Sequence, residues 1–115
     1  MNAVTLERNC YIYVCAGCDL LNESERSDTM TCSGQCRVRA HRNGSLKTLR
    51  DIAKASDIKP ASILHAMAIS RLRPDLEKLV MAGTMTIADT MPELRKEFWS
   101  LVMKAAAAVD EEVPA

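Results

Sequence analysis

Cys15-Ala16-Gly17-Cys18 and, after thirteen intervening residues, Cys32-Ser33-Gly34-Gln35-Cys36 decide the reading of this 115-residue chain. A tetrahedral metal ion takes four thiolates, and short Cys-x2-Cys and Cys-x3-Cys hairpins each deliver a pair without straining the chain between them. The spacing predicts a closed, structural zinc site. On its N-terminal side, Tyr11-Ile12-Tyr13-Val14 alternates as a strand would, and Gly17 is expected to take the positive φ of a tight turn. On its C-terminal side, Arg37-Val38-Arg39-Ala40-His41-Arg42 is compatible with a helix. The fifth cysteine, Cys10, falls on the Ile12 and Val14 face if the alternation holds, and is expected to be a buried small hydrophobe. His41, five residues after Cys36, is expected to project from the helix and not to ligate. Disulfides are the competing reading. They need an oxidising compartment, yet residues 1–17 show no basic segment followed by an apolar one and no small-residue cleavage site, so reduced thiols and a cytoplasmic location are expected.

A strand-borne cysteine pair followed by a helix-borne pair resembles a treble-clef zinc finger. The segment Cys32-Ser33-Gly34-Gln35-Cys36-Arg37 also resembles short bacterial fingers in which Cys-Ser-x-x-Cys-Arg precedes several arginines.

Length allows one domain, or a small metal-stapled module joined to a small helical one. Aromatic residues make up only 3% of the chain, so its core must come from Leu, Ile, Val, Ala and the seven methionines. No run approaches the roughly 20 apolar residues of a membrane-spanning helix. Net charge is formally zero but segregated: residues 1–36 carry −3, residues 37–73 carry +7 and residues 74–115 carry −4. One zinc with four thiolates would add about −2 to the first segment. Only the middle of the chain is cationic, which favours a phosphate-bearing partner.

The middle is also helical. Asn43-Gly44 suits a left-handed helix end, and Ser45 is read as the N-cap of the next helix. Leu46, Leu49, Ile52 and Ala53 recur at helical spacing, Ser56-Asp57 interrupts, and Pro60 suits the first turn of a helix with Ile63, Ala66, Met67 and Ser70 on one side. The stretch from Thr48 to His65 resembles a helix-turn-helix, with Ala53 at the crossing, Asp57 at the usual glycine position and Ile58 and Ile63 as the inward pair. The stretch from Leu72 to Asp89 is similar to the segment C-terminal to the helix-turn-helix in partition proteins of the ParB type: a helix opened by proline (Pro74), ended by glycine (Gly83), with a short helix beneath. This similarity covers about residues 46–94. It implies a DNA-binding core and no more: nucleotide hydrolysis and clamp activity are not implied, because nothing in the chain matches the arginine-rich nucleotide motif of those proteins.

A helix-turn-helix places the N-terminal residues of its second helix against base edges. Lys59, Ala61, Ser62 and His65 are the outward candidates, with Lys59 for guanine or phosphate, Ser62 for either and Ala61 for a thymine methyl. Arg37, Arg39 and Arg42 are read as phosphate contacts beside Lys47, Arg50 and Lys54. Arg37 and Arg39 cannot share one helix face, so one of them is a candidate partner for Glu23 or Glu25. Arg71 and Arg73 either extend the patch or support the Pro74 helix through Asp75.

Pro92 is read as opening a last helix with the apolar stripe Leu94, Phe98, Leu101, Val102, Ala105 and Val109, which either closes the core or forms a dimer seam. Residues 110–115 read as an acidic disordered tail. The expected architecture is mainly α, with a zinc finger over residues 1–43 (short β-hairpin plus basic helix) packed on a helix-turn-helix bundle over residues 44–109. Catalysis is not expected: the site is coordinatively closed and neither histidine has a carboxylate partner in sequence. Two functions remain. One is a sequence-specific DNA-binding protein, a repressor or accessory regulator of a mobile element or bacterial operon, with double-stranded DNA as partner, one structural zinc as cofactor and no small-molecule ligand. The other is a zinc-stapled adaptor for a host or partner protein.

Overall fold

The computed structural model describes residues 10–112, and their side chains as far as residue 108. Among these residues are two strands, β1 (Tyr11–Val14) and β2 (Leu21–Ser24), and five helices, α1 (Gly34–Arg42), α2 (Ser45–Ser56), α3 (Pro60–Leu72), α4 (Pro74–Met81) and α5 (Ile87–Glu112). The class is mainly α, as expected. The strands form an antiparallel hairpin with Tyr11 opposite Ser24 and Val14 opposite Leu21.

The alternation in β1 does not separate a wet face from a dry one, because Ile12, Tyr13, Val14 and Cys15 are all buried. Ile12 and Val14 pack with Ala68 and Ile69 of α3, Leu76 of α4, and Met91 and Leu94 of α5. Tyr13 and Cys15 pack on the other side with Cys36 and Leu64. The hairpin therefore shares its core with the helices. Its free edge is covered too, since the Ile12 N–H donates to Met91 Sδ at 3.2 Å. Cys10, just before β1, is only half-buried.

α3 is the central helix, and it turns a different face inward from the one its sequence suggests. Ala61, Leu64, His65, Ala68 and Ile69 face the core, while Ala66, Met67 and Ser70 are exposed and Ile63 is half-buried. The helix is apolar nearly all round, so periodicity gives no contrast to tell its faces apart. Docking of β1 against Leu64 and Ala68 decides it.

The helix ends follow local chemistry. Gly44 is left-handed at φ 81° and precedes α2, so the N-cap falls on it and not on Ser45, whose N–H instead donates to Asn43 Oδ1 at 2.9 Å. Asp57 adopts the left-handed conformation at φ 56°, and the Ile58 N–H reaches back to the Ala53 carbonyl at 3.0 Å. Aspartate tolerates this conformation better than most residues. Pro60 and Pro74 open α3 and α4, and Gly83 takes φ 79° after α4. α5 begins earlier than the proline signal implies. Thr86 and Asp89 exchange reciprocal bonds at 3.1 Å, a capping box that starts the helix before Pro92, which then lies inside it.

From Trp99 to Ala108 every side chain of α5 is exposed. The apolar stripe therefore closes the core only as far as Leu94 and the half-buried Phe98. Leu101, at 47% exposure, Val102 and Met103 have no cover. The Val109 side chain and residues 113–115 lie outside the described residues, whereas residues 110–112 continue α5 instead of forming an irregular tail. No helix among the described residues is long and apolar enough to cross a membrane.

His65 is buried at 4% exposure, stacks on Tyr11 with ring centroids 5.4 Å apart, and leaves Nε2 with no partner. Burial holds its pKa below the ordinary 6.5. The unfolded chain then takes up a proton near pH 6.5 while the folded chain does not, so this residue's contribution to stability is full above pH 6.5 and is lost as pH falls below it. His65→Phe should keep the stacking and remove the titration. Urea unfolding of the variant beside the parent, from pH 7.5 to 5.5, should show a shallower loss of stability in the variant; parallel profiles would contradict this.

Candidate metal centre and cationic face

The two cysteine pairs reach one point from different elements. β1 delivers Cys15 into a turn closed by Cys15 N–H to Leu20 O and Asp19 N–H to Cys15 O, both at 2.9 Å. Asp19 takes the left-handed position of this turn at φ 62°, so the expectation that Gly17 does so is corrected. Gly17 is needed for space instead. A Cβ there would lie 2.6 Å from Cys36 Cβ and against the Cys36 carbonyl oxygen, so the first turn seats directly on the start of α1. The second pair spans the helix start. Ser33 caps α1 by accepting from Cys36 N–H at 3.1 Å, which places Cys36 in the first turn.

The four sulfurs of Cys15, Cys18, Cys32 and Cys36 all lie within 4.8 Å of one another. Cys18 and Cys32 are 3.8 Å apart, and Cys32 and Cys36 are 3.6 Å apart. Sulfurs at about 2.3 Å from a tetrahedral ion are separated by about 3.8 Å, so the cluster has the size of a four-thiolate cage. Backbone donors are already aimed at it. The N–H groups of Gly17 and Cys32 both donate to Cys15 Sγ at 3.3 Å. Burial alone would push the Cys15 thiol up, but N–H donors from Cys18, Cys32 and Gly17 outweigh it and bring the thiol down to about 7. Cys32 is pushed up to about 12, first by its bond to Cys36 and then by burial. Four thiols so close cannot all ionise by themselves, and a bound cation would supply the missing charge. Burial and the neighbouring thiolates also push Tyr13 up to about 12, so its phenol stays protonated beside the cage. The chemistry fits a metal ion held by these four residues; His41 is exposed on α1 and outside the cluster.

Beyond the cage, the described arginines divide into two groups, whereas among the described lysines only Lys96 has a carboxylate partner, Glu93 at 3.6 Å. Arg26 pairs with Asp28 at 3.1 Å, Arg71 with Asp19 at 2.8 Å, Arg73 with Asp75 at 2.8 Å and with Glu93 at 3.6 Å, and Arg95 with Glu23 at 3.1 Å. Arg71 and Arg73 are thus structural supports. Glu23 is occupied by Arg95 and by the indole N–H of Trp99, which leaves it no role for Arg37 or Arg39. By contrast, none of Arg37, Arg39, Arg42, Lys47, Arg50 and Lys54 has an ion-pair partner among the described residues, and all six are exposed on α1 and α2. Arg37 faces α2, lining a cleft with Leu46 and Arg50, whereas Arg39 lies on another side with Gln35 and Asn43.

The candidate base-reading residues are not kept together. Lys59 is exposed and Ser62 half-buried, but Ala61, at 5% exposure, and His65 point into the core and leave the set. Lys59 also has an acidic neighbour, because Asp28, held low mainly by Arg26, feels Lys59 as well. Sequence reasoning misses the loop after β2, whose Thr29, Met30 and Thr31 line one cleft with Arg37 and Arg50; no short motif marks it.

The chain matches no family model, no curated protein and no solved structure. The hairpin, helix and four-cysteine cluster rest on the geometry above.

Proposed function

We propose that the chain is a zinc-stapled DNA-binding protein whose α1–α2 surface grips the duplex backbone and whose α2–turn–α3 unit presents the start of α3 to the major groove. The observation that carries this is the set of six unpaired cations on α1 and α2, in a molecule whose other described arginines are matched to carboxylates. A protein that gathers like charge without counter-charge loses stability by self-repulsion, and a polyanionic partner relieves it. Zinc is the ion expected in a closed four-thiolate cage, and its part is to fix α1 beside α2. A regulatory role on a mobile element or bacterial operon rests on the resemblance of residues 46–94 to the ParB-type core and of the finger to short bacterial treble clefs.

Base reading falls to Lys59 and Ser62 at the start of α3, flanked by the apolar Ile63 and Ala66. That is a small set of hydrogen-bonding groups, so modest sequence preference is expected on strong general affinity. Selection from randomised duplexes, at a salt concentration that suppresses general binding, should recover a preferred site that changes in Lys59→Ala or Ser62→Ala. Recovery of unenriched sequence would remove base reading from the proposal.

The uncovered outer half of α5 supports self-association. Leu101, Val102 and Met103 are exposed along it, and a two-fold dimer would match paired half-sites on DNA. Sedimentation velocity at tens of micromolar should show a dimer; a monomer boundary alone would contradict the seam. The same exposed residues, with Ile52, Ile58 and Met67, favour the second reading, a protein adaptor with zinc as a staple.

A further inference from the structure

α1 and α2 meet over Leu46, which is buried at 4% exposure and forms the floor of a cleft of about 350 Å³. The remaining lining is Arg37, Val38, His41, Arg42 and Arg50. Arg37 and His41 are four residues apart on α1, as Leu46 and Arg50 are on α2, so each pair projects from one helix face toward the other. The lining contains no carboxylate. A second cleft of about 370 Å³ shares Arg37, Leu46 and Arg50 and is completed by Arg26, Asp28, Thr29, Met30 and Thr31. There the one acid, Asp28, already accepts from Nε and Nη2 of Arg26, each at 3.1 Å. Asp51 follows Arg50 on α2 but lines neither cleft.

Three guanidiniums gather around the apolar Leu46 floor with no carboxylate in the lining, and the His41 imidazole lies beside them. The guanidiniums line one cleft and offer planar donors of the kind that matches phosphate oxygens. No Phe, Tyr or Trp ring lines either cleft, so base stacking of the kind that marks single-strand channels is missing here. We propose that Arg37, His41, Arg42 and Arg50 form a discrete oxyanion site that holds one phosphate group of a duplex backbone. This rests on the DNA-binding reading and sharpens it: Arg39, Lys47 and Lys54 supply general attraction, whereas the cleft fixes one phosphate and so sets the register of the protein on the duplex.

The test is an NMR titration of the metal-loaded full chain, following the arginine Nε–Hε signals, first with inorganic phosphate and then with a short duplex. Phosphate should shift the Arg37, Arg42 and Arg50 signals saturably, beyond what chloride does at matched ionic strength, and should compete with the duplex for them. Arg50→Gln and Arg37→Gln, both at exposed positions, should each weaken phosphate binding about tenfold, while Lys78→Gln on α4 leaves it unchanged. Equal response of all arginines to phosphate and chloride would overturn the site. A duplex that binds without moving the cleft signals would overturn it while leaving the DNA-binding reading intact. Saturable phosphate binding with no duplex binding would do the reverse, retaining the oxyanion site for a phosphomonoester and removing the duplex.

Discussion

Cys36→Ser should lower the metal content from about one zinc per chain to near zero and detach α1 from the hairpin. Serine keeps the N3 position under the Ser33 cap but offers no thiolate, and Cys36 is the ligand against which the first turn is seated through Gly17. Small fingers draw about 10–16 kcal/mol of apparent free energy from a structural zinc. Here Ile12 and Val14 are also held by Ala68, Ile69 and Leu94, so part of the hairpin has support of its own. A cost on the order of 5 kcal/mol is expected, smaller than for a free-standing finger. Hydrogen exchange should show protection lost over residues 15–42 and retained in α3, α4 and the first half of α5. Full metal content with unchanged protection would show that the four sulfurs are not a metal cage.

Duplex affinity should fall about 500-fold between 50 and 200 mM salt. Six unpaired cations line α1 and α2. If about five engage phosphates, the logarithmic slope is about −4.5, since each neutralised phosphate releases counterions worth about −0.9. Arg37→Ala or Arg42→Ala should each make the slope shallower by about 1 and weaken all sequences alike. Fluorescence anisotropy at four salt concentrations reads both quantities. An adaptor that binds protein through its apolar surface would show a slope near zero for its partner and no measurable duplex affinity at 200 mM.

The parts of this molecule legible in sequence are those set by local chemistry. Metal ligands must be spaced for a tetrahedron, so the cysteines alone identify the cage. Pro60 and Pro74 mark helix starts because a proline ring is best accommodated in the first turn, and Asp57 marks the left-handed break between α2 and α3. The features hidden in sequence depend on tertiary contact. The inward face of α3 is set by β1, which no pattern within an apolar helix reveals. Ala61 and His65 read as outward residues for the same reason. The start of α5 is obscured by a stronger signal at Pro92, although the Thr86 and Asp89 pair is there to be read. Gly17 falls in the right turn for a different cause from the one its residue type suggests, since a close approach to Cys36 cannot be seen without the second hairpin in place. The meeting of Arg37 with Arg50 over Leu46 is likewise invisible until α1 is docked on α2.

The metal cage, in the proposed function, works by holding the cationic α1 against α2, joining two weak phosphate-binding faces into one. The most direct measurement is duplex affinity before and after removal of the metal by a chelator, with far-ultraviolet circular dichroism recorded on the same samples. Affinity should fall at least tenfold on chelation and return on adding zinc, while most of the helical signal persists. Unchanged duplex affinity in the metal-free protein would contradict it.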